Sequence, residues 1–216
     1  MISNVYNHGN EFKSIVAKDV YGVKDWKEGS FDVIFDIGAN IGFFSVFMAM
    51  RHSWSKIVAL EPCIEVCNYL KQNVNMLNVV IEEKALGDGI PLQLKARGHL
   101  LDAMFVEKGD GYKVESISLK NLFDKYCDSS TRYFIKLNCE GGEKYLMNKE
   151  SELILQNASQ VSMQIHFKTD NTPFDNWLTL EEHQQWIADT FINHKVKYYK
   201  LSVKRGIAFY RMRKNV

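Results

Sequence analysis

Only four cysteines occur in this sequence, Cys63, Cys67, Cys127 and Cys139, too few and too scattered for a disulfide framework. Cys63 and Cys67 could share one helical face as two soft ligands, yet no neighbouring histidine or further cysteine completes a tetrahedral zinc set. Reduced structural thiols and no metal are therefore expected. Excess charge is missing too: 27 Lys and Arg against 26 Asp and Glu leave a formal charge of +1. That balance gives no general pull toward nucleic acid or an anionic membrane surface, and it argues against both as partners unless a local patch exists. No run approaches the roughly 18–20 uncharged apolar residues of a membrane span. The opening MISNVYNHGNEF lacks the apolar centre of a signal peptide, so a cytoplasmic place is the default expectation. Repeats, low-complexity tracts and linkers are absent. A chain of 216 residues without them is expected to form a single domain over 1–216, with 1–29 as an N-terminal cap segment and 30–216 as the body.

What is present is organised around FDVIFDIGANIGFFSVFMAMR, Phe31 to Arg51. The β-branched and aromatic run Val33 to Ile37 suits a strand buried on both faces. Gly38 and Gly42 bracket Ala39, Asn40 and Ile41, where a sharp turn could let a ligand approach the backbone. A helix starting near Ile41 would aim its free N–H groups and positive dipole end at an anionic group over that turn. A second short strand, Lys56 to Leu60, ends in Glu61 and Pro62. An acid there, about twenty to twenty-five residues after the first turn, is placed to accept from the two hydroxyls of a ribose.

The turn separates two cofactor classes. A dinucleotide site uses G-x-G-x-x-G, whereas this chain reads Gly38-x-Asn40-x-Gly42 with Asp36 two residues before the first glycine. A carboxylate at Asp36 would repel a pyrophosphate and attract an ammonium. S-adenosyl-L-methionine carries an amine, a carboxylate and a ribose, which Asp36, the helix start and Glu61 answer in turn. The alternative is that the glycines merely make a tight strand-to-helix connection.

Before this unit, Glu11 to Val20 could form a short helix and Trp26 an apolar anchor. After it, Val66, Leu70, Val74 and Leu77 recur at helical spacing within a helix over Ile64 to Leu77, and Val79 to Ile81 makes a third strand. The turn from Glu82 to Asp88 would lie at the adenine end of the ligand, with backbone contacts near Lys84 and Ala85. Leu92 to Lys95, Ala103 to Glu107 and Lys113 to Ile117, separated by Gly98, Gly109 and Gly111, suggest a small β insertion around 92–118. Ser118 is a fair N-cap for a helix through Tyr126.

Tyr133 to Leu137 is a fourth strand, running into Asn138, Cys139, Glu140, two glycines and Glu143. Asn138 and Glu140 should border the same crevice as Asp36; Glu140 and Glu143 could instead complement the dipole of a helix over Gly142 to Asn148. A fifth strand, Val161 to Phe167, delivers His166, which is either a proton acceptor near neutral pH or a histidine held by a backbone carbonyl. The loop Lys168 to Leu178, with Pro173, Phe174 and Trp177, could be a lid before a helix over Leu180 to Phe191. Lys195 to Val203 and Ile207 to Met212, joined through Gly206, read as a hairpin. The result is an α/β fold: a doubly wound, mostly parallel seven-stranded sheet with a C-terminal antiparallel hairpin.

Three segments, VIFDIGANIGFFS, VALEPCIEVCNYLKQNVNMLN and FIKLNCEGGEKYLM, with a fainter VSMQIHF, resemble the FkbM family of class I S-adenosylmethionine-dependent methyltransferases. The resemblance implies a Rossmann-like domain in which Asp36, Gly38, Asn40 and Gly42 line the methionine side of the cofactor. It also implies a hydroxyl acceptor on a sugar or other small molecule. The family commonly has aspartate where this chain has Asn138 and often glutamate where it has Gln164, and an amide can neither take a proton nor hold a cation by charge. With such an acceptor, His166 is expected to take the proton, with Glu140 orienting the hydroxyl or serving as the alternative base. A cofactor-binding module without catalysis and an RNA methyltransferase are the alternatives.

Overall fold

The computed structural model describes residues 13–97, 99–106, 111–168, 178–191, 197–204 and 207–213. The aromatic lid expected within 168–178 falls mostly outside them, as do residues 1–12, Gly98, Gly109 and the turn at 205–206 of the C-terminal hairpin.

The predicted first strand forms as β1 (Val33–Ile37), followed by α1 (Phe43–Arg51), β2 (Lys56–Leu60), α2 (Ile64–Asn73) and β3 (Val79–Glu82). Next come β4 (Ala85–Leu86), β5 (Leu92–Arg97), β6 (His99–Val106), β7 (Tyr112–Val114) and β8 (Ser116–Ile117). The chain then forms α3 (Leu119–Tyr126), β9 (Tyr133–Leu137), α4 (Lys149–Asn157), β10 (Gln160–His166), α5 (Leu180–Thr190), β11 (Lys197–Lys204) and β12 (Ile207–Arg213). Side chains place several boundaries. Ser118 Oγ accepts from Asn121 N at 3.1 Å to start α3, and Thr179 with Glu182 forms a capping box at α5. The helix predicted over Gly142 to Asn148 is instead a 3-10 turn, Gly142–Leu146. Asn148 then turns outward and caps α4, accepting from Ser151 N at 2.9 Å.

The main sheet has seven strands in the order β11-β12-β10-β9-β1-β2-β3. Its β2, β1, β9 and β10 neighbours pair in parallel, and β12 runs antiparallel to both β10 and β11. From β1 the chain winds outward to β2 and β3, then resumes on the other side with β9. A crevice therefore opens where β1 and β9 lie side by side, over their carboxyl ends. The insertion is a three-stranded sheet, β6-β5-β7, while β8 turns back to pair with β4.

Alternation along the strands serves both faces. Phe35, Ile135 and Met163 point into one cluster with Leu122, Leu155, Trp186 and Tyr210. Ile34, Ile57 and Phe134 point into the other, under Phe44 and Met48 of α1. The N-terminal segment completes that second layer: Ile15, Tyr21 and Val23 are buried in it. In place of the predicted helix over 11–20, the described part forms one π-helical turn, Lys13–Ala17.

Hydrogen bonds fasten this segment to the sheet. Trp26 packs on Phe31 with ring centres 4.9 Å apart, and its Nε1 donates to Gln160 Oε1 at 2.6 Å. Arg211 donates to Asp19 O at 2.9 Å and Arg213 to Gly22 O at 2.6 Å. Two of the C-terminal arginines thus tie the N-terminal segment to the sheet. Among the described residues no helix is long and apolar enough to cross a membrane.

Candidate active site

Four strands deliver the predicted residues to one end of the sheet: Asp36 on β1, Glu61 after β2, Asn138 and Glu140 after β9, and His166 at the end of β10. Their side chains depart from several expectations. Asp36 has no exposed surface; Lys136 Nζ sits 2.8 Å from one carboxylate oxygen, and Ser45 Oγ donates to the other at 2.6 Å. Lys136, itself buried, also donates to Gly38 O at 2.8 Å and lies over the Tyr21 and Phe44 rings. The ammonium contact predicted for Asp36 is therefore already made, by a lysine of the protein. The pair fixes the carbonyl of the first loop glycine to β9.

The loop N–H groups are likewise committed. Gly38 N and Ala39 N donate to Leu60 O, Gly42 N to Ala39 O, Ile41 N to Asn40 Oδ1, and Asn40 N to Glu61 Oε2 at 3.0 Å. An anion over the turn thus finds no free backbone N–H from residues 38 to 42. Nor do the glycines make room for a ligand. A Cβ on Gly38 would stand 1.8 Å from Asn138 O, and one on Gly42 would stand 2.5 Å from a Leu70 methyl. Their φ values of +74° and +90° require glycine in any case. Asn40, at φ 51°, is the side chain type that tolerates that region.

Glu61 keeps the place predicted for it. Oε2 accepts from Asn40 N and Oε1 from Cys63 N, both at 3.0 Å, so one carboxylate ties the loop to the start of α2 beyond Pro62. Burial pushes its pKa up to about 7, against the opposing help of those two N–H groups. Each oxygen retains capacity for one more donor.

Asn138 carries a second open valence: its Oδ1 is buried and has no hydrogen-bond partner among the described residues. Ala85 offers no free N–H for the contact predicted there. It is buried in β4, and its N–H is spent on Glu115 O at 2.8 Å. Nearby Glu82 is held by Lys125 at 2.5 Å and by the Tyr126 hydroxyl.

On the β9–β10 side, His166 stands between two carboxylates. Nδ1 lies 2.9 Å from Glu143 Oε1 and Nε2 lies 3.1 Å from Glu140 Oε1. Burial alone would lower the pKa of this imidazole, but the charges and hydrogen bonds of Glu140 and Glu143 win and raise it to about 10. A shift in this direction favours a ring that holds both protons at neutral pH and argues against the predicted role of proton acceptor.

The neighbours of His166 have distinct positions. Glu143 is buried and also accepts from Gly141 N at 2.8 Å. Glu140 is over a third exposed and turns toward solvent at φ 47°. The Gln164 amide lies 3.2 Å from His166 Nε2; a doubly protonated ring calls for the amide oxygen on that side. His183, buried on α5, lies 3.2 Å from His166 O. Among the described residues no group of three or more His, Cys, Asp and Glu side chains is arranged to hold a metal. In the Glu143–His166–Glu140 line, the ring keeps the two carboxylates apart.

Lys136, Ser45 and Glu143 are the contributors that sequence reasoning passed over or left open. The four thiols are unpaired; burial raises Cys67 and Cys127 to about 12 and Cys63 and Cys139 in the same direction.

Comparison with known proteins agrees with this architecture. A precorrin-6y C5,15-methyltransferase from Geobacter metallireducens GS-15 superposes with a TM-score of 0.54 at 13% identity, over 93% of this chain and 88% of that one. A candidate rRNA methylase from Clostridium thermocellum gives 0.53 at 8% identity, over 92% and 94%. At these identities the likeness is one of fold. In sequence, a stretch of 79 residues is 32% identical to the methyltransferase sdnD of Sordaria araneosa, covering 37% of this chain and 30% of that protein. The model of the methyltransferase FkbM domain matches residues 36–194, from the buried Asp36 to beyond α5, and this chain belongs to that methyltransferase family.

Proposed function

We propose that the chain moves a methyl group from S-adenosyl-L-methionine to a hydroxyl on a small molecule or sugar, with Glu140 receiving the hydroxyl proton. The observation that carries this reading is the Glu143–His166–Glu140 line, which ends in a partly exposed carboxylate at the crevice. When bound, the cofactor supplies an electrophilic methyl carbon on a sulfonium. Two open valences fit it. Glu61 can accept from the ribose hydroxyls on its remaining lone pairs. The unpartnered Asn138 Oδ1 can accept from the amine, taking over the contact predicted for Asp36. Asp36 and Lys136 set the loop on which this depends.

Glu140 is basic enough for the task because a hydroxyl becomes strongly acidic as its oxygen bonds to carbon. His166, with both protons in place, holds Glu140 Oε1 at the edge of the crevice. Displacement at carbon otherwise needs alignment and the exclusion of water.

The test is formation of S-adenosylhomocysteine over a panel of hydroxyl acceptors. Glu140→Gln is expected to lower kcat about a hundredfold with cofactor affinity held within twofold. Undiminished turnover in that variant removes Glu140 as the base. Cofactor binding without conversion across the panel supports a binding module instead.

A further inference from the structure

Helix α1 is apolar on two sides. Phe44, Met48 and Ala49 are buried against the sheet, while Phe43, Val46 and Phe47 are only partly covered by the core and Met50, on the same side, is exposed. A helix apolar all round is normally buried all round. Here the outer stripe lines a cleft of about 600 Å³, within the volume range of small-molecule sites. Val16 closes the cleft on the N-terminal side, and Gln72 and Asn73 at the end of α2 edge it.

Arg51, in the last turn of α1, also lines the cleft. Its guanidinium carbon lies 5.8 Å from the centre of the Phe47 ring. One terminal nitrogen donates to Lys24 O at 3.0 Å and more weakly to Trp26 O at 3.5 Å. Its Nε is buried and has no partner among the described residues. Leaving a charged donor buried and unpaired is costly, and a carboxylate is the acceptor whose geometry suits a guanidinium.

From this combination we infer that the cleft binds an amphipathic carboxylate, its apolar body along Phe43, Val46 and Met50 and its head group at Arg51. The cleft runs along the outer side of α1 and reaches Ile41 and Gly42 of the loop after β1 at the start of that helix, while Arg51 stands at its other end. It stands independently of the proposed acceptor.

Dodecanoate, below its micelle concentration, is the probe. Calorimetry on the full chain is expected to show saturable binding of one equivalent below about 1 mM, and protein–ligand NMR contacts should join its methylenes to the Val46 and Met50 methyl groups. Val46→Trp should abolish binding by filling the cleft. Arg51→Gln should weaken dodecanoate about tenfold, the worth of one charge-assisted hydrogen bond, and leave dodecan-1-ol unchanged. Thermal unfolding of both variants checks that they are folded. No saturable binding to the wild type overturns the inference, as do contacts elsewhere or equal affinity for acid and alcohol. A concentration-dependent dimer that excludes the probe would assign the stripe to a second copy and overturn it too.

Discussion

Glu61 couples cofactor binding to proton release. In the free protein its pKa stands near 7 because burial outweighs the two N–H groups it accepts. Ribose hydroxyls donate to the ionised form, so the ligand must draw the proton off before it gains those bonds. At pH 6 the carboxylate is one unit below its midpoint and at pH 8 one unit above. A ligand that needs the ionised form should therefore bind about tenfold more weakly at pH 6, a difference of about 1.4 kcal/mol. The sign is opposite for the free fold. A carboxyl whose folded pKa is raised from 4.5 to about 7 contributes stability below pH 4.5 that is lost as pH rises through 7. Bound ligand should therefore stabilise the protein most on the alkaline side. Isothermal calorimetry with S-adenosylhomocysteine, in two buffers of different ionisation enthalpy, reads affinity and proton release together. Nearly one proton should be released at pH 6 and almost none at pH 8, and Glu61→Gln, which also subtracts any titration of the ligand, should flatten the profile to within twofold. Equal affinity of the wild type at both pH values, or an undiminished slope in the variant, would refute the assignment of the ribose to Glu61.

Other residues give equally direct tests. Lys136→Met strands a buried carboxylate with only Ser45 beside it, and urea unfolding should show a loss of about 3–5 kcal/mol. Asp36→Asn in the same chain should recover part of that loss, and strict additivity would mean the two groups do not interact. The imidazole nitrogens of His166 should both carry protons at pH 7 in nitrogen-15 spectra and titrate near pH 10. Since that pKa is raised from 6.5, the associated stability is complete below 6.5 and disappears as pH rises through 10; a midpoint near 7 would return His166 to the role of base. Gly38→Ala drives a Cβ onto a backbone carbonyl and should cost several kcal/mol, whereas Gly29→Ala, at φ +78° with no atom within 4 Å, should cost only about 1 kcal/mol from backbone strain. Similar losses at the two positions would show that the contact with Asn138 is not what demands the glycine.

Most of the fold could be read locally because buried parallel strands announce themselves in short apolar runs. VIFDI, KIVAL and YFIKL each form within the residues predicted, and the antiparallel end of the sheet follows from the hairpin pattern. Besides the N-terminal segment, one local misreading lies after Gly142. Two glycines and an acid look like one helix start, but Gly141 at φ +96° directs the chain into a short 3-10 turn. The stronger cap, Asn148, comes seven residues after Gly141. Asn148 with Ser151 was a signal available in the sequence.

The site was legible as a set of positions and much less as a set of charges. Asp36 looked like a free acid because nothing near it in sequence is basic, yet its partner occupies the same place in another strand. VIFDI and YFIKL each carry one charge at the fourth position, and the parallel register sets Asp36 directly against Lys136. Once two buried strands are known to be neighbours, lone opposite charges at equal depth must be expected to pair, because neither can be left alone in the interior. No such rule reaches His166. Its state depends on whether burial or two carboxylates prevail, and those carboxylates come from a loop shaped by residues at positive φ, Glu140 and Gly141. Burial by itself predicts a neutral ring that could take a proton. Two anions within 3.1 Å reverse that result. Moving either carboxylate away from the ring should therefore lower the His166 titration toward neutrality, with Glu140→Gln acting at least as strongly as Glu143→Gln because Glu140 supplies the larger of the two raising contributions.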